Sequence, residues 1–449
     1  MSPSEADLVQ EAARAPSRKA GNGEASGSPR CRLCGADLRH TFVDLGMSPL
    51  CESYVAEEEL DAMEPFYPLH VLVCDRCWLV QLREYVSGQE IFGGEYAYFS
   101  SYSDSWVEHA RRYVESVTDR FGLGPDSQAV EVASNDGYLL QHFLPLGVSV
   151  LGIEPADNVA EAAREKGIPT EVVYLGRETA RRLAADGVRA DLLIGNNVLA
   201  HVPDLEDFVE GLRILLADEG VLTMEFPHLM RLVEENQFDT IYHEHYSYFS
   251  FVAAERVFAA HDLTVFDVEE IPTHGGSLRI YVRHRSPSDG AEPAAGDGAG
   301  LHAVTDRVVA LRRRERAAGV ESLEYYRSFA ERVKETKRKL LEFLIRVRRD
   351  GERVVGYGAP GKGNTLLNYC GIRTDFLDYV VDRSEYKQGK YLPGTHIPIH
   401  PPSRIDETRP DWVLILPWNL KEEIVEQMSR IRDWGGRFVV PIPEVTVLD

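Results

Sequence analysis

Residues 129–143 read AVEVASNDGYLLQHF. A strand-like run ends at Ala133, a turn passes through Ser134-Asn135-Asp136-Gly137, and a helical pattern follows. In a doubly wound sheet a nucleotide moiety binds beyond the carboxyl end of such a strand. The dinucleotide fingerprint GxGxxG is absent here, and Gly137 is the only glycine in the turn. The turn therefore offers a pyrophosphate no glycine-lined approach, but S-adenosylmethionine carries no pyrophosphate. Glu131 and Asp136 are candidates for its cationic amino-acid end, with Ala133 and Gly137 bordering the same ligand.

The pattern repeats outward from this stretch. VSVLGIEP places Glu154 at the end of the next strand, where a carboxylate can take both ribose hydroxyls. ADLLIGNNVLAHV carries Asn196 and Asn197 at the end of the following strand, with His201 just beyond, facing cofactor and acceptor. Strands alternating with helical stretches over 89–285 predict a parallel sheet covered by helices. This block is flanked by others. Residues 1–28 read as an Ala/Gly/Ser-rich disordered tail and 29–88 as a small β domain. Residues 286–300 are a Gly/Pro/Asp-rich linker and 301–350 a helical connector. Residues 351–449 return to α/β through RVVGYG, LDYVVD, DWVLIL and RFVVPIP.

A chain of 449 residues calls for about two to four domains. No apolar run approaches the ~18 residues of a membrane span, and the N-terminus has no apolar signal core, so a cytoplasmic location is expected. A net charge of −23 argues against nucleic acid or an anionic membrane surface as partner. It still allows one basic pocket for a phosphorylated small molecule. The basic run Arg312–Arg316 reads as the solvated face of a helix. Oligomeric state is not legible, although a complete set of domains in one chain permits a monomer.

Four of the six cysteines form two CxxC pairs, Cys31/Cys34 in CRLC and Cys74/Cys77 in CDRC. Two such knuckles supply four thiolates, the set that tetrahedral zinc takes in closed structural sites. Cys51 reads as a packed thiol.

Together, CRLCG, LGMSPL, CDRCWLVQL, EVASNDGYLL, GIEP, NNVLAHV, FDTIYHEHYSYFS and HGGSLRIYV resemble the sugar C-methyltransferases that act on thymidine-diphosphate deoxysugars. The resemblance continues through VVGYGAPGKGNTLLNYCG, VVDRSEYKQGKYLPGTHIPI and PWNLKEEI, from about residue 31 to the end. It implies an α/β chain of three parts. These are a zinc-binding N-terminal domain, a central class I, Rossmann-like S-adenosylmethionine domain, and a C-terminal Rossmann-like domain that helps to hold the nucleotide-sugar.

The stretch FDTIYHEHYSYFS, residues 238–250, then takes on a chemical meaning. His243-Glu244-His245 is not HExxH, and on a helix its two histidines would point in different directions. Methylating carbon requires a carbon nucleophile, which a 4-ketosugar supplies once its C3 proton is removed. That step needs a base and a donor for the developing oxyanion. His245 can be the base, Glu244 or a second carboxylate can orient or tune it, and Tyr242 or His201 can donate to the C4 oxygen. The resemblance carries active-site positions onto these same four residues; which of His245, Glu244 or Tyr242 takes the proton stays open.

EYAYFSSYSDSW offers Tyr96, Tyr98 and Ser101 as contacts from a segment that, by the resemblance, closes over cofactor and sugar. THGGSLRIYV adds His274, the Gly275-Gly276 pair and Arg279 at the border of the sugar pocket. GYGAPG at 356–361 formally satisfies GxGxxG, yet Pro360 crowds the turn and no hydride-transfer site accompanies it. A helix start there can instead cradle one nucleoside diphosphate. By the resemblance Gly358, Lys362, Asn364 and Thr365 are its contacts, with Lys387, Asp382 and the loop at Asn419 as further ones. The expected function is transfer of a methyl group from S-adenosylmethionine to carbon, C3, of a dTDP-4-keto-deoxysugar. Methylation of oxygen or nitrogen on a related nucleotide-sugar, or binding without turnover, remain the alternatives.

Overall fold

The computed structural model describes residues 29–92, 99–286 and 302–448. The calls on 1–28, on Tyr96 and Tyr98, and on nearly all of the 286–300 linker fall outside them. The chain begins with three antiparallel strands, β1 (His40–Ser48), β2 (Tyr67–Val73) and β3 (Val80–Leu82). Helix α1 (Asp104–Phe121) follows, capped by the Ser103 hydroxyl and ended by Gly122 at φ 64°. Its buried face is Ala110, Tyr113, Val114 and Val117, the spacing of an amphipathic helix.

The central sheet is then laid down as β4 (Gln128–Val132), β5 (Ser149–Ile153), α2 (Asp157–Glu165), β6 (Thr170–Glu171), α3 (Arg177–Ala185) and β7 (Ala190–Asn196). It continues with α4 (Leu205–Leu215) and β8 (Leu216–Pro227). Next, β9 (Ser247–Tyr248) leaves this sheet to pair antiparallel with β3. After α5 (Phe251–Ala259), strands β10 (Leu263–Ile271) and β11 (Ser277–His284) close the sheet. Its order is β10-β11-β8-β7-β4-β5-β6. β4 to β8 run parallel, and β11 is inserted antiparallel between β8 and β10. Within the domain this is strand order 6-7-5-4-1-2-3, the class I methyltransferase topology. The switch point lies between β4 and β7, where ligands bind.

Helices α6 (Asp306–Ala318) and α7 (Phe329–Arg349) form the connector. The arginines of the 312–316 run meet solvent and surface carboxylates, as expected: Arg312 pairs with Glu255 and Arg314 with Glu270. Glu315 departs from that expectation. It is fully buried and accepts from the backbone N–H groups of Phe251 (2.7 Å) and Val252 (2.8 Å) and from His228 Nε2 (2.6 Å). A carboxylate at a helix start is stabilised by the unpaired N–H groups there.

The last domain holds β12 (Val354–Tyr357), α8 (Gly361–Cys370), β13 (Val380–Val381), β14 (Ile399–His400), β15 (Trp412–Ile415), β16 (Arg437–Val440) and β17 (Thr446–Leu448). The order β14-β13-β12-β15-β16-β17 is parallel except at β17. The N-terminal sheet is not an isolated module. Phe42, Val71 and Leu82 share one apolar core with Leu340, Val354 and Leu366, so the first domain is cemented to the last. No helix of the described residues is long and apolar enough to cross a membrane.

Candidate active site

The two CxxC pairs fold as matching knuckles. In the first, Cys31 N donates to Ala36 O (2.8 Å) and Gly35 N to Cys31 O (2.9 Å). In the second, Cys74 N donates to Leu79 O (3.1 Å) and Trp78 N to Cys74 O (3.1 Å). Gly35 (φ 70°) and Trp78 (φ 64°) turn the chain in the left-handed region at equivalent places. The four Sγ atoms lie within 4.8 Å of one another, with Cys31–Cys77 at 3.4 Å and Cys34–Cys74 at 3.5 Å. A zinc tetrahedron with Zn–S bonds near 2.3 Å needs edges of about 3.8 Å, so the donor set fits the metal. Gln81 Nε2 (3.2 Å to Cys31 Sγ) and Arg76 N (3.4 Å to Cys74 Sγ) add the N–H donors that thiolates take.

A cavity of about 740 Å³ runs from the carboxyl ends of β4, β5 and β7 to the start of α8. At its first end the wall is Val132, Ala133, Asn135, Ile153, Glu154 and Val173. Ala133 (φ 55°), Asn135 (φ 50°) and Asn197 (φ 53°) all sit in the left-handed region at the strand ends. Such strained residues cluster at ligand sites. The Glu154 carboxylate accepts from Asn135 N and Ala156 N, both at 3.0 Å, and burial pushes its pKa up. The side-chain oxygens of Asn196 and Asn197 are buried without a protein donor among the described residues. Both residues line the cavity, where these oxygens can accept from the N–H or O–H groups of a ligand.

The middle of the cavity is the 238–250 stretch. Its local course is a short 3-10 turn at Phe238–Thr240, a loop, and then β9. That course brings Tyr242, Glu244 and His245 into the cavity wall beside His201. His245 packs edge-on against His201 (ring centroids 4.7 Å apart) and lies tilted by 33° against the Tyr242 ring (4.1 Å). Its Nδ1 lies 2.9 Å from the Thr240 carbonyl oxygen. A carbonyl can only accept, so Nδ1 carries the hydrogen and Nε2 holds the lone pair. Burial, with His201 beside it, drives the His245 pKa well below the ordinary histidine value. Burial likewise lowers His201 to about 4.

Glu244 behaves in the opposite way. Buried, with Glu52 adding like charge, its pKa rises to about 8. The Cys51 thiol stands 3.5 Å from its Oε1. Tyr242, also held by burial, stays a phenol well above its usual range. At neutral pH the cavity therefore holds a neutral imidazole acceptor beside two O–H donors.

At the far end lie Pro360, Gly361, Lys362 and Lys387. Lys362 Nζ donates to Asn419 Oδ1 (2.7 Å), and Lys387 Nζ to Ala359 O (3.0 Å). Two ammonium groups thus flank the start of α8, whose N–H groups add positive potential.

Family comparisons agree with this division. Residues 31–92 match a zinc binding domain, 106–268 a methyltransferase domain, and 272–443 the C-methyltransferase C-terminal domain. The C-methyltransferase NovU of Streptomyces niveus is 37% identical over 418 residues, which is 93% of this chain and 96% of that protein. The chain belongs to the C-methyltransferases. A ubiquinone biosynthesis O-methyltransferase of Chelativorans is 26% identical over 116 residues, 24% of this chain and 46% of that one. Among solved structures, a SAM-dependent methyltransferase from Anabaena variabilis aligns at 17% identity and TM-score 0.33, covering 39% of this chain and 85% of that one.

As a C-methyltransferase the chain uses S-adenosylmethionine, and its zinc-binding domain carries the cluster of four cysteines. Of the cofactor candidates, Ala133, Glu154, Asn196 and Asn197 line the cavity. Glu131 stands behind that wall, fully buried; burial and the charges of Glu154 and Asp136 push it well above the usual carboxylate range. Asp136 is paired with Lys166 Nζ (2.9 Å) and takes the Ser101 hydroxyl, and neither residue lines the cavity. Gly137 packs under Ile168, where a Cβ would collide.

All four catalytic candidates of the C-methyltransferase line the cavity, as do His274, Lys362 and Lys387. The remaining acceptor candidates are engaged elsewhere. Arg279 donates to buried Glu225 (2.8 Å) and covers the Tyr113 ring. Thr365 donates to Ile241 O (3.0 Å), Asn364 Oδ1 accepts from Asn368 (3.2 Å) while its Nδ2 is buried without an acceptor among the described residues, and Gly358 N donates to Val381 O (2.7 Å). The Asp382 carboxylate accepts from Ala359 N (2.7 Å), which fills the GxGxxG turn with protein. Sequence reasoning did not single out Glu52, Trp106, Tyr138 and Tyr174, all of which line the cavity. Glu52 comes from the zinc-binding domain next to Cys51, and no local pattern announces it.

Proposed function

We propose that this C-methyltransferase acts on C3 of a thymidine-diphosphate 4-keto-deoxysugar by way of an enolate. The observation that carries the reading is the His245 tautomer held by Thr240, in a cavity that joins the cofactor wall to a two-lysine anion site. The acceptor's diphosphate lies at Lys362, Lys387 and the start of α8, which sets the sugar beside His245. Nε2 of His245 takes the C3 proton. The electron pair of the broken C–H bond becomes the C3=C4 bond, and the carbonyl pair moves onto the C4 oxygen. Tyr242 and protonated Glu244 are the donors that stabilise this oxyanion. S-adenosylmethionine, held by Glu154, Asn196 and Asn197, supplies the methyl group as an electrophile. Its positive charge suits a cavity end lined by a carboxylate and amide oxygens.

Following the C3 proton of a thymidine-diphosphate 4-keto-2,6-dideoxyhexose by NMR in deuterium oxide, with S-adenosylhomocysteine bound, tests the reading. Enzyme-dependent loss of the signal, abolished in His245→Gln, is expected. Turnover without exchange would move methylation to a heteroatom. Exchange undiminished in the variant would move the proton to Glu244 or Tyr242.

A further inference from the structure

Lys362 presents an electrostatic problem. It sits in the first turn of α8, where the helix dipole disfavours a cation, and burial pulls its pKa down. Among the described residues no carboxylate lies within ion-pair distance of it. Its hydrogen-bond acceptor is the neutral Asn419 Oδ1, and its Nζ stands 4.6 Å from the centre of the Trp418 ring. A desolvated ammonium needs compensation. Asp239, fully buried, supplies it at the edge of the indole: its Oδ2 accepts from Trp418 Nε1 at 2.7 Å. An indole N–H that donates to an anion sends electron density into its ring, and the ring face then holds a cation more strongly.

We propose that Asp239, Trp418 and Lys362 form a relay between domains, in which the Asp239 carboxylate acts through the indole to keep the Lys362 ammonium charged and aimed at the acceptor's anionic group. This rests on the nucleotide-sugar reading above. Asp239 and Trp418 are positioning residues; Lys362 is the group that meets substrate. The relay is built into the catalytic stretch, since Asp239 precedes the Thr240 carbonyl that sets the His245 tautomer. It also underlies the turn that carries His274. A Cβ on Gly275 would come within 2.6 Å of the Trp418 ring and 2.7 Å of Gln237 Nε2. Electrostatics agrees: Asp239 raises Lys362, and Lys362 in turn lowers both His245 and His274.

Asp239→Asn keeps the shape and an acceptor for the indole N–H but removes the charge, and Trp418→Phe keeps the ring face but removes the N–H. Calorimetric titration with thymidine diphosphate should show each variant binding about three- to thirtyfold more weakly, the worth of a desolvated cation–π contact. Affinity for S-adenosylhomocysteine should not change. The double variant should be no weaker than the worse single one; additive losses would overturn the relay. In protein with 13C-labelled lysine, with Lys362 assigned through Lys362→Arg, the Lys362 ammonium should titrate lower in both variants. An unchanged titration there would also overturn the proposal. If the parent enzyme ignores thymidine diphosphate, the nucleotide-sugar reading fails, and the lysine titration still decides the relay. If Asp239→Asn does not fold, Trp418→Phe carries both measurements.

Discussion

Glutamine at position 154 keeps the outline of the side chain and removes one acceptor oxygen. In the parent enzyme the two oxygens of Glu154 accept from Asn135 N and Ala156 N, each at 3.0 Å. They thereby fix the turn after β4 to the loop before α2. Their remaining lone pairs face the cavity, where two ribose hydroxyls can donate. A hydrogen bond to a charged group is worth about 1.5–3 kcal/mol. Losing one such contact to the cofactor should raise the dissociation constant of S-adenosylhomocysteine about ten- to hundredfold. The backbone N–H left facing an amide NH2 should also cost about 1–3 kcal/mol of stability. Alanine forfeits both backbone contacts, so its stability loss should be roughly double, with no weaker effect on affinity. Calorimetric titration gives the affinity, and thermal melting with and without ligand separates it from folding. A folded Glu154→Gln enzyme that binds S-adenosylhomocysteine within a factor of two of the parent would refute the ribose assignment.

Other perturbations probe the remaining ends of the molecule. With Glu244 raised to about 8 and acting as a donor, it is competent while protonated. Turnover should therefore fall as pH rises through about 8, and Glu244→Gln should lose that limb. A rate that climbs through the same window would make Glu244 the base. Cys74→Ser should cost zinc and folding together, because the binding energy of a structural zinc is folding energy; normal melting with no bound zinc would show that the metal does not hold the domain. Gly275→Ala, at φ 89° and against Trp418, should weaken acceptor binding before it affects the cofactor, and equal loss of both would point to general unfolding.

The strand and turn at 129–137, the carboxylate of GIEP and the paired CxxC motifs were legible because each is a local signal. Periodicity, a turn and a ligand spacing are written within a few residues of one another, and the class I sheet and zinc knuckles follow from them. The helix expected after the turn is instead two short 3-10 turns, Leu140–His142 and Leu144–Leu146, the second holding Pro145 and ended by Gly147. Tyr242, Glu244 and His245 were legible as chemistry by residue type. Their roles were not, because a tautomer depends on which carbonyl stands behind a ring, and a pKa on what excludes water around it.

Ser101, Asp136, Arg279, Asn364 and Thr365 have the chemistry of ligand contacts. Only the tertiary structure shows them engaged with neighbours 30 to 124 residues away, namely Lys166, Glu225 and Ile241, or more locally with Asn368. Glu52 is the converse case, an unremarked residue of the zinc-binding domain that reaches the cavity because β9 and a shared core draw that domain against the other two. The sequence by itself determined the parts list: sheet class, zinc ligands, cofactor type and the residues able to move a proton. Which of those residues share one water-excluded volume was decided by long-range packing. Desolvation and partner charge act through space, and spacing along the chain does not encode them.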